Sequence, residues 1–217
     1  MTPQETITFI KGDFALTPEQ ERRLLALDAL YRDWNAKINV ISRKDIDGLY
    51  SHHVLHSLAI ARYLPNRPGL LEAFSQARVL DLGTGGGFPG IPLAILFPDA
   101  TFTLCDSVGK KTLVAGEVAK ALGLGNVTVV NARAESLEGP FGFVVSRAVA
   151  PLPDFYPWVK GKFTEGILYL KGGDIVEEIA EVMARHRLPK GSVHTWPVNA
   201  WLHDPYYDGK LVIHIES

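Results

Sequence analysis

The sequence predicts an α/β fold: a mostly parallel seven-stranded sheet with an antiparallel C-terminal strand, preceded by a helical region. Three observations support this prediction. From Ala77 onward, short apolar runs alternate with stretches of helical periodicity, which is typical of a parallel sheet with helices on both faces. The last two apolar runs are separated only by a loop, so we expect them to pair as an antiparallel hairpin. Before Ala77 the apolar residues recur at helical spacing.

The N-terminal region, residues 1–75, is predicted to be a helical cap on a single compact unit that spans residues 76–217. A cluster of turn-forming residues at 66–69 is the best candidate for a linker. No internal repeat or low-complexity segment interrupts the chain.

Two helices are predicted in the cap. Thr17 is a helix N-cap, with Pro at the next position and Gln20 completing a capping box. Behind it, apolar residues recur every three or four positions as far as Ile38, which indicates a helix packed on one side. A second helix is predicted from about Ser51 to Leu64.

Strands and helices alternate in the second region. The predicted strands are Arg78–Leu82, Thr101–Asp106, Val127–Asn131, Phe143–Ser146, Gly166–Lys171, Ser192–Val198 and Leu211–Ile215. Helices are predicted near Ile91–Phe97, Lys110–Leu122, Leu152–Lys160 and Ile175–Arg187. A parallel sheet that ends in an antiparallel hairpin is typical of the Rossmann-like class I methyltransferase fold, which binds S-adenosylmethionine (SAM).

Composition excludes several classes of protein. The 217 residues are 47% hydrophobic and 21% charged, so the chain can bury a core and is neither disordered nor collagen-like. A single cysteine cannot form an internal disulfide and suits a reducing compartment. No apolar run is long enough to span a membrane and no secretory signal is recognisable, so we expect a cytoplasmic protein. The formal charge of −2 means that any nucleic acid must bind a local basic patch.

A glycine-rich turn follows the first predicted strand. Glycines stand at positions 83, 85, 86, 87 and 90, with Phe88 and Pro89 among them and Asp81 just before. Absent side chains let a ligand approach the backbone, and the helix that follows offers free N–H groups. A purely structural turn without a ligand is the alternative.

Two ligand classes compete for this turn. Gly85, Gly87 and Gly90 match the dinucleotide pattern, and Asp106 lies where a ribose-binding acid belongs. However, Asp81 would repel a pyrophosphate, and Phe88 fills the place that it needs. An acid suits the cationic ammonium and sulfonium of SAM, so charge and sterics favour SAM over a nicotinamide dinucleotide.

The chain resembles the bacterial 16S rRNA guanine-N7 methyltransferases, the RsmG or GidB (glucose-inhibited division protein B) family. The resemblance runs from about Leu24 to Gly173. Its motifs are the glycine segment 81–92, Trp34–Ile41, His53–Leu58, Cys105–Ser107, Lys110-Lys111, Asn131–Glu135, Ser146–Ala150 and Lys171–Gly173. One departure is His56, because members of the family often carry an acid there.

The resemblance implies methyl transfer from SAM to N7 of a guanosine in the decoding region of small-subunit rRNA. It places Gly83 and Phe88 at the methionine end of SAM, Asp106 at the ribose and Ala134-Glu135 beside the adenine. Arg147 is implied near the site of methyl transfer, as the candidate catalytic residue and a further SAM contact. Together with Asp81, Gly85 and Gly87 from the glycine turn, these residues are the predicted cofactor site.

Guanine N7 has a lone pair and no proton, so its methylation needs no general base, and positioning and the local field should carry catalysis. The forked guanidinium of Arg147 suits guanine O6 or a phosphate; pairing with a core carboxylate is the alternative. Predicted substrate contacts are His53, Arg133 and Lys171. Other candidates for a basic rim, which equally suit a solvated surface, are Arg43, Lys44, Lys110, Lys111, Lys160 and Lys162.

The remaining polar and aromatic residues have ordinary interpretations. His52 and His56 would share a helix face, but no second ligand cluster accompanies them, so no metal site is predicted. Cys105 is expected to be buried in its strand, and Trp34 to pack in the core. The expected partner is 16S rRNA or an assembling small subunit, and the protein is expected to be a monomer. A methyltransferase with another RNA, protein or small-molecule substrate, a dehydrogenase and a non-catalytic RNA-binding module are the alternatives.

Overall fold

A computed structural model describes all residues from Met1 to Ser217. The α-helices are α1 (Pro3–Lys11), α2 (Pro18–Lys37), α3 (Leu55–Tyr63), α4 (Leu70–Ser75), α5 (Gly90–Leu96), α6 (Gly109–Ala121), α7 (Leu152–Val159) and α8 (Val176–His186). The strands are β1 (Arg78–Leu82), β2 (Thr101–Asp106), β3 (Val127–Asn131), β4 (Phe141–Arg147), β5 (Phe163–Gly172), β6 (Val193–Pro197) and β7 (Lys210–Glu216).

The seven strands form one sheet in the order β3-β2-β1-β4-β5-β7-β6. Strands β1 to β5 pair in parallel, and β7 lies antiparallel between β5 and β6. This arrangement confirms the predicted parallel sheet and its C-terminal hairpin. Because the carboxyl ends of β1, β2 and β4 lie side by side, the loops that follow them meet at one edge of the sheet.

Alternating side chains of the strands enter two hydrophobic cores. In β1, Val79 belongs to the larger core of 42 buried residues, while Leu80 and Leu82 belong to the smaller core of 16. Helices α1 to α6 cover the larger core, and α7 and α8 cover the smaller one. None of the helices has the length and apolarity that a transmembrane span requires.

The helical cap shares its core with the sheet. Leu24, Leu27 and Tyr31 of α2 are fully buried in the same cluster as Val79 and Phe102. The capping box at Thr17 forms as predicted, and the Gln20 amide also donates to the carbonyls of Ile95 and Leu96 at the end of α5. Partly buried Trp34 packs against this core, which confirms its predicted role.

The cap differs from the prediction in three places. Helices α1 and α4 were not predicted, because each is short. The predicted linker is instead the end of a 3-10 helix at Leu64–Asn66 and a short turn before α4, whose Phe74 is buried in the shared core. The predicted helix at 51–64 starts earlier, with a π-helical stretch at Leu49–Val54 that leads into α3.

Candidate active site

The glycine turn joins β1 to α5 and is held from both sides. The hydroxyl of Tyr31 in α2 donates to the carbonyl of Gly86 at 2.7 Å. Asn35 binds the backbone of Val40 and Ile41, and a Cβ on Gly86 would lie 2.9 Å from Val40. The helical cap therefore supports the turn directly, which explains why the Trp34–Ile41 motif accompanies it.

Asp81 lies beneath the turn and is fully buried. Its Oδ2 accepts hydrogen bonds from the Thr84 hydroxyl at 2.6 Å and from the Gly90 N–H at 2.8 Å, so it ties the turn to the start of α5. Its Oδ1 has no partner. Burial outweighs these hydrogen bonds and raises the pKa of Asp81 to about 7. Its contact with SAM stays a prediction, because Asp81 does not line the neighbouring cavity.

A cavity of about 360 Å³ opens over the carboxyl ends of β1 and β2, a volume within the usual range for small-molecule sites. It is lined by Leu82, Gly83, Asp106, Ser107, Lys111, Ala132, Arg133, Ala134, Glu135, Val149 and Trp158. Five predicted site residues are thus brought together here: Gly83, Asp106, Ala134 and Glu135 from the SAM set, and Arg133 from the substrate set.

Asp106 ends β2 at the wall of this cavity. Its Oδ2 accepts from the Gly85 N–H and its Oδ1 from the Val108 N–H, each at 2.9 Å. A carboxylate has about four acceptor positions, so both oxygens keep capacity for ligand hydroxyl groups. Asp106 therefore connects the glycine turn to the cavity.

A second polar group lies on the other side of the turn. Arg147 ends β4, and its guanidinium lies 5.4 Å from the centre of the Phe88 ring. Its Nη2 is 3.1 Å from Nδ1 of His53. No carboxylate pairs with Arg147 within 4.0 Å, so the alternative of a core ion pair is wrong. Burial lowers the pKa of Arg147 from its ordinary value.

Other predicted residues lie elsewhere. Gly87 is buried, and a Cβ there would lie 3.0 Å from the Tyr31 hydroxyl, so this glycine serves internal packing. The Lys171 ammonium is paired within the protein, with the Glu178 carboxylate at 2.9 Å and the Ala150 carbonyl at 3.2 Å, and its contact with the substrate stays a prediction. Buried Cys105 confirms the prediction for that residue.

The three histidines do not share one face. The π-helical stretch turns His52 and His53 toward Asp45, whereas His56 is buried beside Tyr207. The predicted pairing of His52 with His56 on one helix face is therefore wrong, because it assumed α-helical spacing. No group of three or more His, Cys, Asp or Glu side chains is arranged to hold a metal ion.

The residues around the cavity fit SAM. Gly85 has φ +57°, and a Cβ there would meet nothing within 4 Å, so the backbone is open on that side. Asp106 offers spare acceptors for a ribose, and its carboxylate places negative charge at the wall of the cavity. A cationic sulfonium suits this charge, whereas a pyrophosphate does not.

Sequence reasoning missed several residues of the site. Trp158 of α7 and Val149 after β4 line the cavity, and Asp45 holds the histidines beside Arg147. Val149 lies in the Ser146–Ala150 motif, but the resemblance gives it no role, and Trp158 carries no motif. For Asp45 the only signal was an acid within a basic and polar segment, which is equally typical of a surface turn.

Solved structures of SAM-dependent methyltransferases share this fold. Magnesium protoporphyrin IX methyltransferase from Synechocystis, with bound SAM, matches with a TM-score of 0.59 at 14% identity over 94% of this chain and 99% of that chain. A SAM-dependent O-methyltransferase from Thermotoga maritima matches with a TM-score of 0.51 at 14% identity over 74% of this chain and 64% of that chain. At these identities the similarity shows the fold alone. The fold is that of the class I SAM-dependent methyltransferases.

Sequence comparison identifies the family. The GidB family model, described as rRNA small subunit methyltransferase G, matches residues 20–199. A ribosomal RNA small subunit methyltransferase G of Cytophaga hutchinsonii is 46% identical over 93% of this chain and 95% of its own length. One from Bacteroides thetaiotaomicron is 56% identical over 75% of this chain and 80% of its own length. The chain belongs to the rRNA small subunit methyltransferase G (GidB) family.

Proposed function

We propose that this enzyme transfers the methyl group of SAM to N7 of a guanosine in the decoding region of 16S rRNA. The observation that carries this proposal is the family match over residues 20–199, because curated relatives are named for the RNA of the small ribosomal subunit. The substrate is 16S rRNA, free or in an assembling subunit, which puts the enzyme in the cytoplasm.

The donor side of the site uses the cavity at β1 and β2. When bound, SAM supplies an electrophilic methyl group on a positively charged sulfur. Asp106 accepts from the ribose, the backbone at Gly83 and Gly85 adjoins the methionine end, and Ala134 and Glu135 flank the adenine. Holding two reactants close together in the reactive orientation lowers the activation barrier, so this cavity contributes to catalysis mainly by positioning SAM.

The acceptor side uses the end of β4. Guanine N7 has an in-plane lone pair and no proton to lose, so its methylation requires no general base from the side chains at this end of β4. Arg147 has no carboxylate partner. Its guanidinium hydrogen-bonds only the His53 ring and the His52 carbonyl, and its remaining N–H groups are available to donate to guanine O6 or a phosphate. A hydrogen bond to N7 itself would occupy the nucleophile, so the contact lies elsewhere on the base.

The direct test is to map 7-methylguanosine in 16S rRNA from cells with and without the gene, and to repeat the methylation with purified enzyme, labelled SAM and rRNA. Loss of one 7-methylguanosine without the gene, restored by wild type and not by Arg147→Ala, supports the proposal. Label in another RNA, a protein or a small metabolite, with rRNA unlabelled, would assign a different substrate to the same donor fold.

A further inference from the structure

A chain of polar side chains lies outside the SAM cavity and ends at Arg147. Asp45 Oδ2 is 2.7 Å from Nε2 of His53, and Nδ1 of His53 is 3.1 Å from Nη2 of Arg147. His53 is the only side chain that hydrogen-bonds Arg147; the carbonyl of His52 lies 3.5 Å from Nη1. The arginine is therefore oriented by a histidine, and the histidine by a carboxylate.

The hydrogen bonds fix the protonation state of His53. A guanidinium has donors only, so Nδ1 of His53 must accept from Arg147. The proton of the neutral ring then sits on Nε2 and is donated to Asp45. Burial and the charge of Arg147 lower the pKa of His53 to about 4, so the neutral ring persists at neutral pH.

The local fold holds both ends of this chain. The π-helical stretch at Leu49–Val54 lets His52 and His53, adjacent in sequence, bind the two oxygens of one carboxylate. The His52 ring stacks on Tyr206, with ring centres 3.6 Å apart and planes at 12°. Burial alone would raise the pKa of Asp45, but the hydrogen bonds from His52 and His53 outweigh it and lower this pKa, so the carboxylate stays ionised.

Phe88 of the glycine turn packs against both His53 and Arg147. Its ring centre lies 5.3 Å from that of His53, and the guanidinium of Arg147 lies 5.4 Å from it. The chain from Asp45 to Arg147 therefore touches the segment that borders the SAM cavity, although none of its three members lines that cavity.

We propose that Asp45 and His53 are positioning residues for the methyl transfer, which act by fixing the orientation of the Arg147 guanidinium. This inference rests on the proposed role of Arg147 at the acceptor guanosine. An arginine side chain loses rotamer entropy when it is held in one orientation. Because His53 holds the guanidinium in place beforehand, Arg147 loses less conformational entropy when it contacts the RNA.

Two substitutions separate the two contacts of His53. In His53→Gln, the amide nitrogen takes the place of Nε2 and keeps the bond to Asp45, but no acceptor faces Arg147. In His53→Asn, the amide oxygen takes the place of Nδ1 and keeps the acceptor for Arg147. We expect His53→Gln to lower kcat for rRNA methylation about tenfold and His53→Asn to lower it less.

Donor binding and folding serve as controls within the same variants. Because His53 does not line the SAM cavity, SAM affinity by calorimetry should stay within about twofold of wild type. His194→Gln is a matched control, since it makes the same substitution at another histidine whose Nε2 pairs with a carboxylate, Glu216, on the C-terminal hairpin. If His53→Gln lowered SAM affinity and melting temperature as well as kcat, His53 would be a purely structural residue and the proposal would be overturned.

A double substitution tests whether His53 acts through Arg147. If it does, His53→Gln should have less than about a twofold effect on kcat in the Arg147→Ala background, although it costs about tenfold alone. Losses that multiply would mean that the two residues act independently, which overturns the proposal. Asp45→Asn, which keeps an acceptor for Nε2, should retain more activity than Asp45→Ala.

The nitrogen NMR signals of the His53 ring give a readout that does not depend on activity. We expect the Nε2–H tautomer in wild type at neutral pH, and loss of the fixed tautomer in Arg147→Ala. A proton on Nδ1, or a doubly protonated ring, would exclude the bond from Arg147 and overturn the proposal. If wild type methylated a substrate other than rRNA, the proposed function would fail, while the tautomer and the kinetic comparison on that substrate would still test the positioning chain.

Discussion

The Asp106 carboxylate has two roles: it binds backbone N–H groups of the protein, and it is the proposed ribose contact. Both oxygens accept backbone N–H groups, from Gly85 on one side and Val108 on the other, while the side chain still borders the cavity. A substitution therefore changes the shape of the glycine turn as well as removing the proposed ribose contact. Variants that keep or remove the backbone acceptors can separate these effects.

We predict that Asp106→Asn weakens SAM binding about 10- to 100-fold and that Asp106→Ala weakens it further. A hydrogen bond to a charged group contributes about 1.5–3 kcal/mol, and the asparagine keeps one acceptor oxygen for a backbone N–H. Calorimetric titration with SAM measures the affinity. Asp99→Asn, at the far end of β2, is the control and should bind as wild type does. Unchanged SAM affinity in Asp106→Ala would show that the ribose does not use this carboxylate.

The glycines of the turn divide into two groups. Gly86, Gly87 and Gly90 are surrounded by protein, so their hydrogen atoms serve packing against Val40, Ile91 and Asp81. Gly85 is different, because a side chain there would enter open space beside the cavity. The sequence pattern alone gives no means of distinguishing the two groups.

We predict that Gly85→Ala impairs SAM binding more than it impairs folding. The φ of +57° costs a non-glycine residue about 1–2 kcal/mol, and the new methyl group would meet a bound ligand. Gly191→Ala is the matched control, since Gly191 also has a positive φ and open space but lies before β6, away from the site. Similar melting temperatures with SAM affinity lost only in Gly85→Ala would fit this account; equal SAM affinity in both would contradict it.

At the scale of elements, the loop after β4 is fixed by its neighbours. The Tyr169 hydroxyl in β5 bonds both the N–H and the carbonyl of Ala150. In α8, the Glu178 carboxylate accepts from the Leu152 N–H at 2.8 Å and pairs with Lys171. Ala148 has φ +47°, a strained value for alanine, which these contacts help to maintain.

We predict that Glu178→Gln loosens this loop and thereby lowers methylation. Loss of the charged acceptor weakens the contacts to Leu152 and Lys171, so amide hydrogen exchange over residues 148–152 should become roughly tenfold faster. The change should reach Arg147, the residue before the loop, and reduce kcat. Glu177→Gln, at the neighbouring exposed position, should change neither the exchange rate nor kcat. Unchanged exchange in Glu178→Gln would show that Tyr169 suffices to hold the loop.

The strands were more predictable from the sequence than the contacts between loops. β1, β2 and β3 have the predicted bounds because each is a short segment rich in apolar and β-branched residues. β5 extends to Phe163 because its exposed first residues still complete hydrogen bonds, which apolar periodicity does not register. The ion pair of Lys171 and the position of Asp45 depend on tertiary packing, so local patterns could not indicate them.

At the scale of the whole molecule, helical cap and sheet share one core. His56 in α3 is 5% exposed, and its Nε2 has no hydrogen-bond partner. Burial, together with the charge of Arg147, lowers the pKa of His56 to about 3. Because α3 packs into the same core as the sheet, we expect unfolding to expose this histidine in one cooperative transition.

The sign of the resulting pH dependence follows from proton binding. Between the ordinary pKa of 6.5 and about 3, the unfolded chain binds a proton on His56 that the folded protein does not, so stability falls as pH falls below 6.5. His53 acts in the same direction. Asp81 acts in the opposite direction, because its raised pKa means that the folded state holds the extra proton between about 4 and 7.

We therefore predict that His56→Leu reduces the loss of stability on acidification. The effects of His53, in the same direction, and of Asp81, in the opposite direction, are common to wild type and variant, so the difference between the two proteins isolates His56. Between pH 7 and pH 5, the free energy of unfolding of His56→Leu should change in its favour by about 2 kcal/mol relative to wild type. Urea unfolding at both pH values measures this, with His203→Leu as an exposed control. Parallel pH profiles for wild type and His56→Leu would mean that His56 accepts its proton in the folded state, and that the core around α3 admits water.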